Sequence, residues 1–519
     1  MRVNFVVLAS LLLSGLCASA QVTGRTIHAD MKQEAGKRSS VFNECIGAGR
    51  ANEGLRADWQ QQLTMVQKDF NFKYIRFHGL LHDDMRVYSV DKEGKASYNW
   101  QYIDALYDFL QSVHLRPIVE LSFMPADMAS GTKTVFWWKG NVTKPKSYEL
   151  WDGLISKLVT HLQERYGKAE VEKWYFEVWN EPDLGGFFAG TQADYFELYE
   201  HTARAVKGVS PTYRIGGPAT SAMKWIGEFL SYCDQHKVPV DFVSTHDYAT
   251  TSVLDEFGTK KQKLKPDVDS VAKDVKRIRQ HISASPFKNA EFHVTEWNTS
   301  PSSHDPIHDS YQNAAFVLHV LKKAMPWANS MSYWTFTDVF EEAGPALTPF
   351  HGGFGLVNLQ SIKKPTYFAY QYLNQLGATE LKNSDPESII CKSNKNVQAL
   401  FWDFTFPETG KDFDQGYFIK DQPPAATRKV QLKLSNLANG TYTIEVYKTG
   451  YKSNDPGTQY TAWGRPSYIN PQQVAELKQL SSGKAVKSST ITVRNGVYTE
   501  SYATGSNDIY LVKLNFKHI

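Results

Sequence analysis

Between about residues 40 and 380, short apolar runs alternate with longer amphipathic stretches, eight times over. The runs cover 43–49, 73–79, 116–123, 174–179, 214–219, 241–248, 291–297 and 331–336. Most are nearly continuous in apolar residues, the pattern of strands buried on both faces. The intervening segments, such as 59–70 and 195–206, repeat their apolar residues every three to four positions, as a helix with one buried face must. Strands joined through helices pair in parallel with right-handed crossovers. Eight such units are the count that closes a barrel. The expected class is therefore α/β, a (β/α)8 TIM barrel.

The texture changes after about residue 385. Segments 398–406, 429–434, 442–447, 489–494 and 508–516 alternate apolar with polar residues, separated by turn clusters at 436–440 and 453–457. That predicts a C-terminal antiparallel β-sandwich domain over 386–519, with the barrel over 21–385 and its first residues free to add a strand to the sandwich. Residues 1–20 read as a signal peptide: Arg2, a short apolar core over 5–13, and Ala18-Ser19-Ala20 as the cleavage site. Export to the periplasm or medium is the expectation. No later stretch approaches the roughly 20 apolar residues of a membrane span. Cys45, Cys233 and Cys391 remain in the mature chain, too few and too scattered for a disulfide framework. A net charge of +3 with 21% charged residues gives no basic footprint for nucleic acid. The oligomeric state stays open.

In a barrel of this kind, chemistry sits where the strands end. The fourth run ends in Asn180-Glu181-Pro182 and the seventh in Glu296-Trp297-Asn298. A carboxylate after a buried strand is costly unless it is paired or used. Two of them on one rim match what glycosidic cleavage needs: one carboxyl group to protonate the leaving oxygen, another to attack or stabilise the anomeric carbon. Four-residue histidine spacings at His78–His82 and His304–His308 lie at strand ends or among helix-disfavouring residues, so no metal and no cofactor are expected. Sequons at Asn141, Asn298 and Asn439 read as coincidences, because a glycan two residues from Glu296 would block the site.

Six segments carry a family resemblance: KYIRFHGLLHDDM at 73–85, GTKTVFWWKGNVT at 131–143, WYFEVWNEPDL at 174–184, DFVSTHDY at 241–248, HVTEWNTS at 293–300, and SYWTFTDVFEE with FHGGFGL within 332–356. Together they resemble the bacterial β-xylosidases of glycoside hydrolase family 39, which also contains the α-L-iduronidases. The resemblance implies a retaining mechanism with Glu181 as acid/base and Glu296 as nucleophile. Glu181 must then start protonated and finish ionised, so its pKa should be raised, and Glu296 needs donors around it. Asn180 would bond the sugar 2-OH.

His78, Phe123, His246, Tyr248 and Trp334 fall at the strand ends, and the matching family positions line the site of the non-reducing sugar. Tyr248 would also hold the nucleophile. Glu341 and Glu342 resemble the family's acidic pair that reaches sugar hydroxyls. The structural alternatives are a satisfied core histidine, a packing aromatic and a solvated loop. The expected activity is removal of terminal β-D-xylosyl residues from xylo-oligosaccharides. Its alternatives are an α-L-arabinoside or α-L-iduronide on the same machinery, an endo-acting enzyme, and a non-catalytic carbohydrate-binding protein.

Overall fold

The computed structural model of the chain describes residues 24–254, 260–406 and 416–517. The leader expected over 1–20 lies outside the described residues. Two strands, β1 (Arg25–Asp30) and β2 (Glu34–Lys37), precede the first barrel unit. The barrel strands are β3 (Cys45–Arg50), β4 (Tyr74–His78), β5 (Arg116–Leu121), β6 (Tyr175–Val178), β7 (Arg214–Thr220), β8 (Phe242–Tyr248), β9 (Glu291–Asn298) and β10 (Ser330–Tyr333). They pair in parallel, each with its neighbour in sequence, and β10 closes onto β3 through Tyr333 and Ile46. All eight expected runs are strands, with ends shifted by a few residues. The largest shift is at the eighth, which stops at Tyr333 and leaves Trp334 just beyond the strand.

A helix follows each barrel strand: α1 (Ala57–Phe70), α2 (Gln101–Ser112), α3 (Tyr148–Tyr166), α4 (Gln192–Val209), α5 (Ile226–His236), α6 (Ser270–Ser283), α7 (Tyr311–Ala324) and α8 (Pro365–Asn374). The local reasons are visible. In α1, Trp59, Leu63, Val66 and Phe70 make one buried stripe, and Asn71 ends the helix in a left-handed conformation at φ 53°. Helix α4 starts at a reciprocal cap in which Thr191 accepts from the Asp194 amide and the Asp194 carboxylate accepts from the Thr191 amide. No described helix is long and apolar enough to cross a membrane.

The C-terminal strands are β11 (Thr379–Leu381), β12 (Ser388–Ser393), β13 (Asn396–Trp402), β14 (Thr427–Ser435), β15 (Gly440–Thr449), β16 (Lys487–Val493), β17 (Tyr498–Gly505) and β18 (Ile509–Phe516). Seven strands form one sheet in the order β2-β11-β12-β13-β18-β15-β16, and three form a second, β1-β14-β17. The sheets share a core of Ile27, Leu432, Ile390, Ala399, Phe401, Ile444, Val512 and their neighbours. That makes a sandwich, antiparallel except where β1 runs parallel to β14. The N-terminal stretch thus supplies one strand to each sheet. Two helices interrupt the β region, α9 (Pro456–Ala462) and α10 (Pro471–Leu480); their Tyr460 and Leu477 pack with Phe350 and Ile362.

The middle strands of the large sheet, β12, β13 and β18, are buried on both faces. Ile390, Ala399, Phe401 and Val512 point to the small sheet, while Ile389, Cys391, Leu400, Trp402 and Leu511 join the barrel's own core. Period-two alternation explains the division, since successive side chains leave a strand on opposite faces. Cys45, Cys233 and Cys391 are buried free thiols.

Candidate active site

Arg76 stands in the middle of β4 and is fully buried. A lone buried guanidinium is costly, so its partners decide its meaning. It meets Glu120 of β5 at 2.7 Å and Glu177 of β6 at 2.8 Å, and a third carboxylate, Glu296 of β9, through Nη1. Its Nη2 also donates to Asn180 Oδ1 at 2.9 Å, which leaves the Asn180 amide nitrogen free to turn elsewhere. Thr295 donates to the other oxygen of Glu177 at 2.8 Å. One cation therefore anchors the nucleophile candidate and Asn180 from below. Removing half of such a buried ionic cluster is far more damaging than replacing the whole of it.

Glu181 comes from the loop after β6. Its amide donates to Ala219 O at 2.9 Å, and its own backbone is left-handed, φ 46°. The side chain meets His246 of β8, whose Nδ1 lies 3.0 Å from Glu181 Oε1 and 3.4 Å from Glu296 Oε2. Tyr248 donates its hydroxyl to Glu296 Oε2 at 2.9 Å. A register shift between β8 and β9 at Thr245–His246 brings His246 opposite Glu296. One oxygen of each glutamate and the imidazole nitrogen lie within 4.8 Å of one another. Within the trio His246 Nδ1 hydrogen-bonds Glu181, while Glu296 is bonded from outside it by Tyr248 and Arg76.

Burial raises both carboxyl groups. Burial, reinforced by the Asp183 carboxylate, lifts Glu181 from 4.5 to about 7. Burial also raises Glu296, but Arg76 and His78 pull against it. His246 is pushed down to about 4 by burial and is neutral at pH 7. His78 behaves in the opposite way. Burial would lower it, yet Glu120 at 2.8 Å and Glu342 at 3.3 Å outweigh that and leave it at about 10, an imidazolium. Burial raises Glu342, with His78 opposing.

The remaining expected residues divide into two groups. Trp334 packs its ring 4.9 Å from His78 and stands over the Arg76 guanidinium at 5.7 Å; Phe123 is buried 6.2 Å from His78. Glu342 faces His78, whereas Glu341 turns away. Its carboxylate binds Arg50 at 2.9 Å and Arg56 at 2.7 Å, a bridge that fixes the loop after β10 rather than an acceptor directed at the His78 cluster. Phe136 stacks on His78 at 5.9 Å, and the Trp137 amide donates to Glu342 O at 2.7 Å, tying the 131–143 loop to the same rim. Of the sequon asparagines, Asn141 and Asn298 are buried, which leaves no room for a glycan at either.

Arg76, Glu120 and Glu177 escaped a reading that searched only the strand tips. The signal was available: a charged residue in mid-strand, in KYIRFH, RPIVEL and YFEV, has to be paired inside the barrel.

The family model for glycosyl hydrolases family 39 matches residues 25–497. The chain belongs to glycoside hydrolase family 39. Membership makes it an O-glycosyl hydrolase of a retaining family, in keeping with two carboxyl groups that meet at a single imidazole. Among family 39 relatives, a β-xylosidase of Caldicellulosiruptor saccharolyticus is 38% identical over 473 residues, 89% of this chain and 93% of that protein. The crystal structure of the family 39 enzyme from Xanthomonas axonopodis pv. citri superposes with a TM-score of 0.92 at 37% identity, covering 97% of this chain and all of that one. A monomeric β-xylosidase from Caulobacter crescentus CB15 gives 0.92 at 37% identity, over 95% of this chain and all of the other.

Proposed function

We propose that this family 39 enzyme removes terminal β-D-xylosyl residues from xylo-oligosaccharides by double displacement, with Glu296 as nucleophile and Glu181 as general acid/base. The observation that carries the reading is the meeting of the two glutamates at His246, with oxygens within 4.8 Å. Carboxyl groups about 5–5.5 Å apart act by attack and retention, whereas inversion needs about 6.5–9.5 Å to seat a water.

In the first step a Glu296 oxygen bonds to the anomeric carbon as the glycosidic C–O bond breaks, and Glu181 passes its proton to the departing oxygen. The negative charge of Glu296 is consumed in the new ester, which favours the ionised form of Glu181. In the second step Glu181 takes a proton from water as its oxygen attacks the same carbon, and Glu296 leaves as carboxylate. Arg76 and Tyr248 supply the donors that hold the Glu296 carboxyl group in place. The Asn180 amide, held through its oxygen by Arg76, is oriented to donate to the sugar 2-OH.

The charges at this site favour a neutral sugar. A uronic acid wants an unengaged cation. Among the described residues here, Arg76 is shared by three carboxylates, and His78 by Glu120 and Glu342. The relatives named β-xylosidase support the same choice. A leader over 1–20 supports export with cleavage after Ala20, which intact-mass analysis of the mature protein would check by a chain beginning at Gln21.

The test is a panel of nitrophenyl pentosides, hexosides and uronides, with product anomers from xylobiose followed by NMR. The β-xyloside should turn over fastest and release β-xylose before mutarotation. Preferential cleavage of an iduronide or arabinoside would overturn the specificity, and α-xylose as first product would overturn the mechanism.

A further inference from the structure

The loops after β6 and β7 are built against the preferences of their own residues. Trp179 and Glu181 on the first, Ala219 near the end of β7, and Ala222, Met223 and Trp225 on the second have φ between 46° and 70°. L-residues other than glycine rarely adopt that region, and such a cluster persists only where surrounding contacts enforce it. An acidic side chain two residues after Glu181 joins the two loops. The Asp183 side chain is 1% exposed. Its Oδ1 accepts from the Ser221 amide at 2.7 Å, and its Oδ2 accepts from the Ser221 hydroxyl at 2.5 Å and faces Lys224 Nζ at 3.2 Å. The Glu181 amide bonds Ala219 O in the same interloop seam, and Thr220 Oγ1 closes the second loop onto Lys224 O at 2.6 Å.

We propose that Asp183 is a positioning residue for the acid/base step: its carboxylate clamps the loop after β6 to the loop after β7 and sets a negative charge, partly balanced by Lys224, beside Glu181. The proposal rests on the reading of Glu181 as general acid. Its two parts are separable, since the hydrogen bonds to Ser221 hold the loop and the charge favours the protonated form of Glu181. Asp183 raises Glu181 and Lys224 lowers it. The other groups that act on Glu181 come from different elements. His246 bonds it from β8, and Glu296 and Tyr248 interact with it from β9 and β8. Arg76 and His78 of β4 and Glu342 after β10 complete the set. None of these touches Asp183 among the bonds above, so substitutions at 183 and 224 change Glu181's surroundings from one side only.

Three full-length variants test this, on xylobiose, which needs protonation of its leaving group, and on 2,4-dinitrophenyl β-xyloside, which does not. Asp183→Asn should move the basic limb of the xylobiose kcat/KM profile to lower pH by about half a unit or more. Lys224→Met, at a half-exposed side chain, should move it to higher pH by a similar amount. Asp183→Ala, which loses the clamp, should cut kcat/KM at least about 10-fold on xylobiose and under about 3-fold on the dinitrophenyl substrate. Limbs that stay in place, or move the same way in Asp183→Asn and Lys224→Met, overturn the electrostatic part; equal losses on both substrates in Asp183→Ala overturn positioning. If Asp183→Ala does not fold, the other two variants still decide. Glu181→Ala, run in parallel, separates the underlying reading: equal losses on both substrates in that variant refute Glu181 as the acid, whatever Asp183 does.

Discussion

Arg76 sets the charge balance of the pocket, because three carboxylates converge on it in the barrel interior. Taking away one partner of a buried ionic group costs about 3–5 kcal/mol. Arg76→Met should therefore lower stability by about that much in urea unfolding and cut kcat/KM by at least about 100-fold on aryl xylosides and xylobiose alike. A stable, active variant would mean that Glu296 is held by other groups. Glu181 presents the opposite case, a buried acid whose ionised form costs stability. Its pKa is 4.5 in the unfolded chain and about 7 in the folded one, so the native state holds the extra proton. The cost of the buried carboxylate is absent below pH 4.5, grows as pH rises, and is complete above 7, at about 3 kcal/mol. Glu181→Gln should then be more stable than the parent at pH 8 and no more stable at pH 4, as read from urea midpoints. Equal midpoint shifts at both pH values would contradict this.

At the scale of elements, strands and loops meet through positions where no side chain fits. A Cβ on Gly47 of β3 would lie 2.5 Å from Trp334 Cε3 and 2.9 Å from Tyr333 O. The backbone oxygen cannot rotate away. Gly47→Ala should displace Trp334 from its place against His78, lowering the melting temperature and cutting kcat/KM for xylobiose at least about 10-fold; unchanged kinetics would show that Trp334 has room to move. The same elements show what a sequence makes legible. The eight barrel strands could be read because burial on both faces leaves few polar residues in them. Strand β2 could not: Glu34–Lys37 is exposed throughout and has no alternation, and only pairing with β11 makes it a strand. Strands β12 and β17 were missed for a related reason. The first is buried on both faces for only four residues, and the second, YTESYATG, buries Tyr498, Tyr502, Thr504 and Gly505, a set without a single aliphatic residue. In the site, Glu181 and Glu296 were legible as acids at strand ends. The exposed-looking pair Glu341–Glu342 was readable only as a pair, because the arginines that claim Glu341 lie 285 and 291 residues away.

The whole molecule is tied together by a sheet that belongs to two cores. Leu400, Trp402, Ile509 and Leu511 face the barrel, their neighbours face the small sheet, and the first two strands of the chain complete the sandwich. Each such side chain contributes roughly 1.5–3 kcal/mol by its burial, and all would be exposed together if the two parts separated. Calorimetry of the full chain should show one cooperative transition, and a chain ending at residue 385 should fail to give a soluble barrel. Two resolved transitions would show that the sandwich is an independent module. This construction keeps the barrel closed, and closure brings the ends of β6 and β9 to one hollow, where Glu181 and Glu296 meet His246. The most direct test is to trap the intermediate with 2,4-dinitrophenyl 2-deoxy-2-fluoro-β-xyloside and locate the adduct by peptide mass spectrometry. The fluorosugar should be found as an ester on Glu296; an adduct on another residue, or turnover with no adduct at all, would contradict the account.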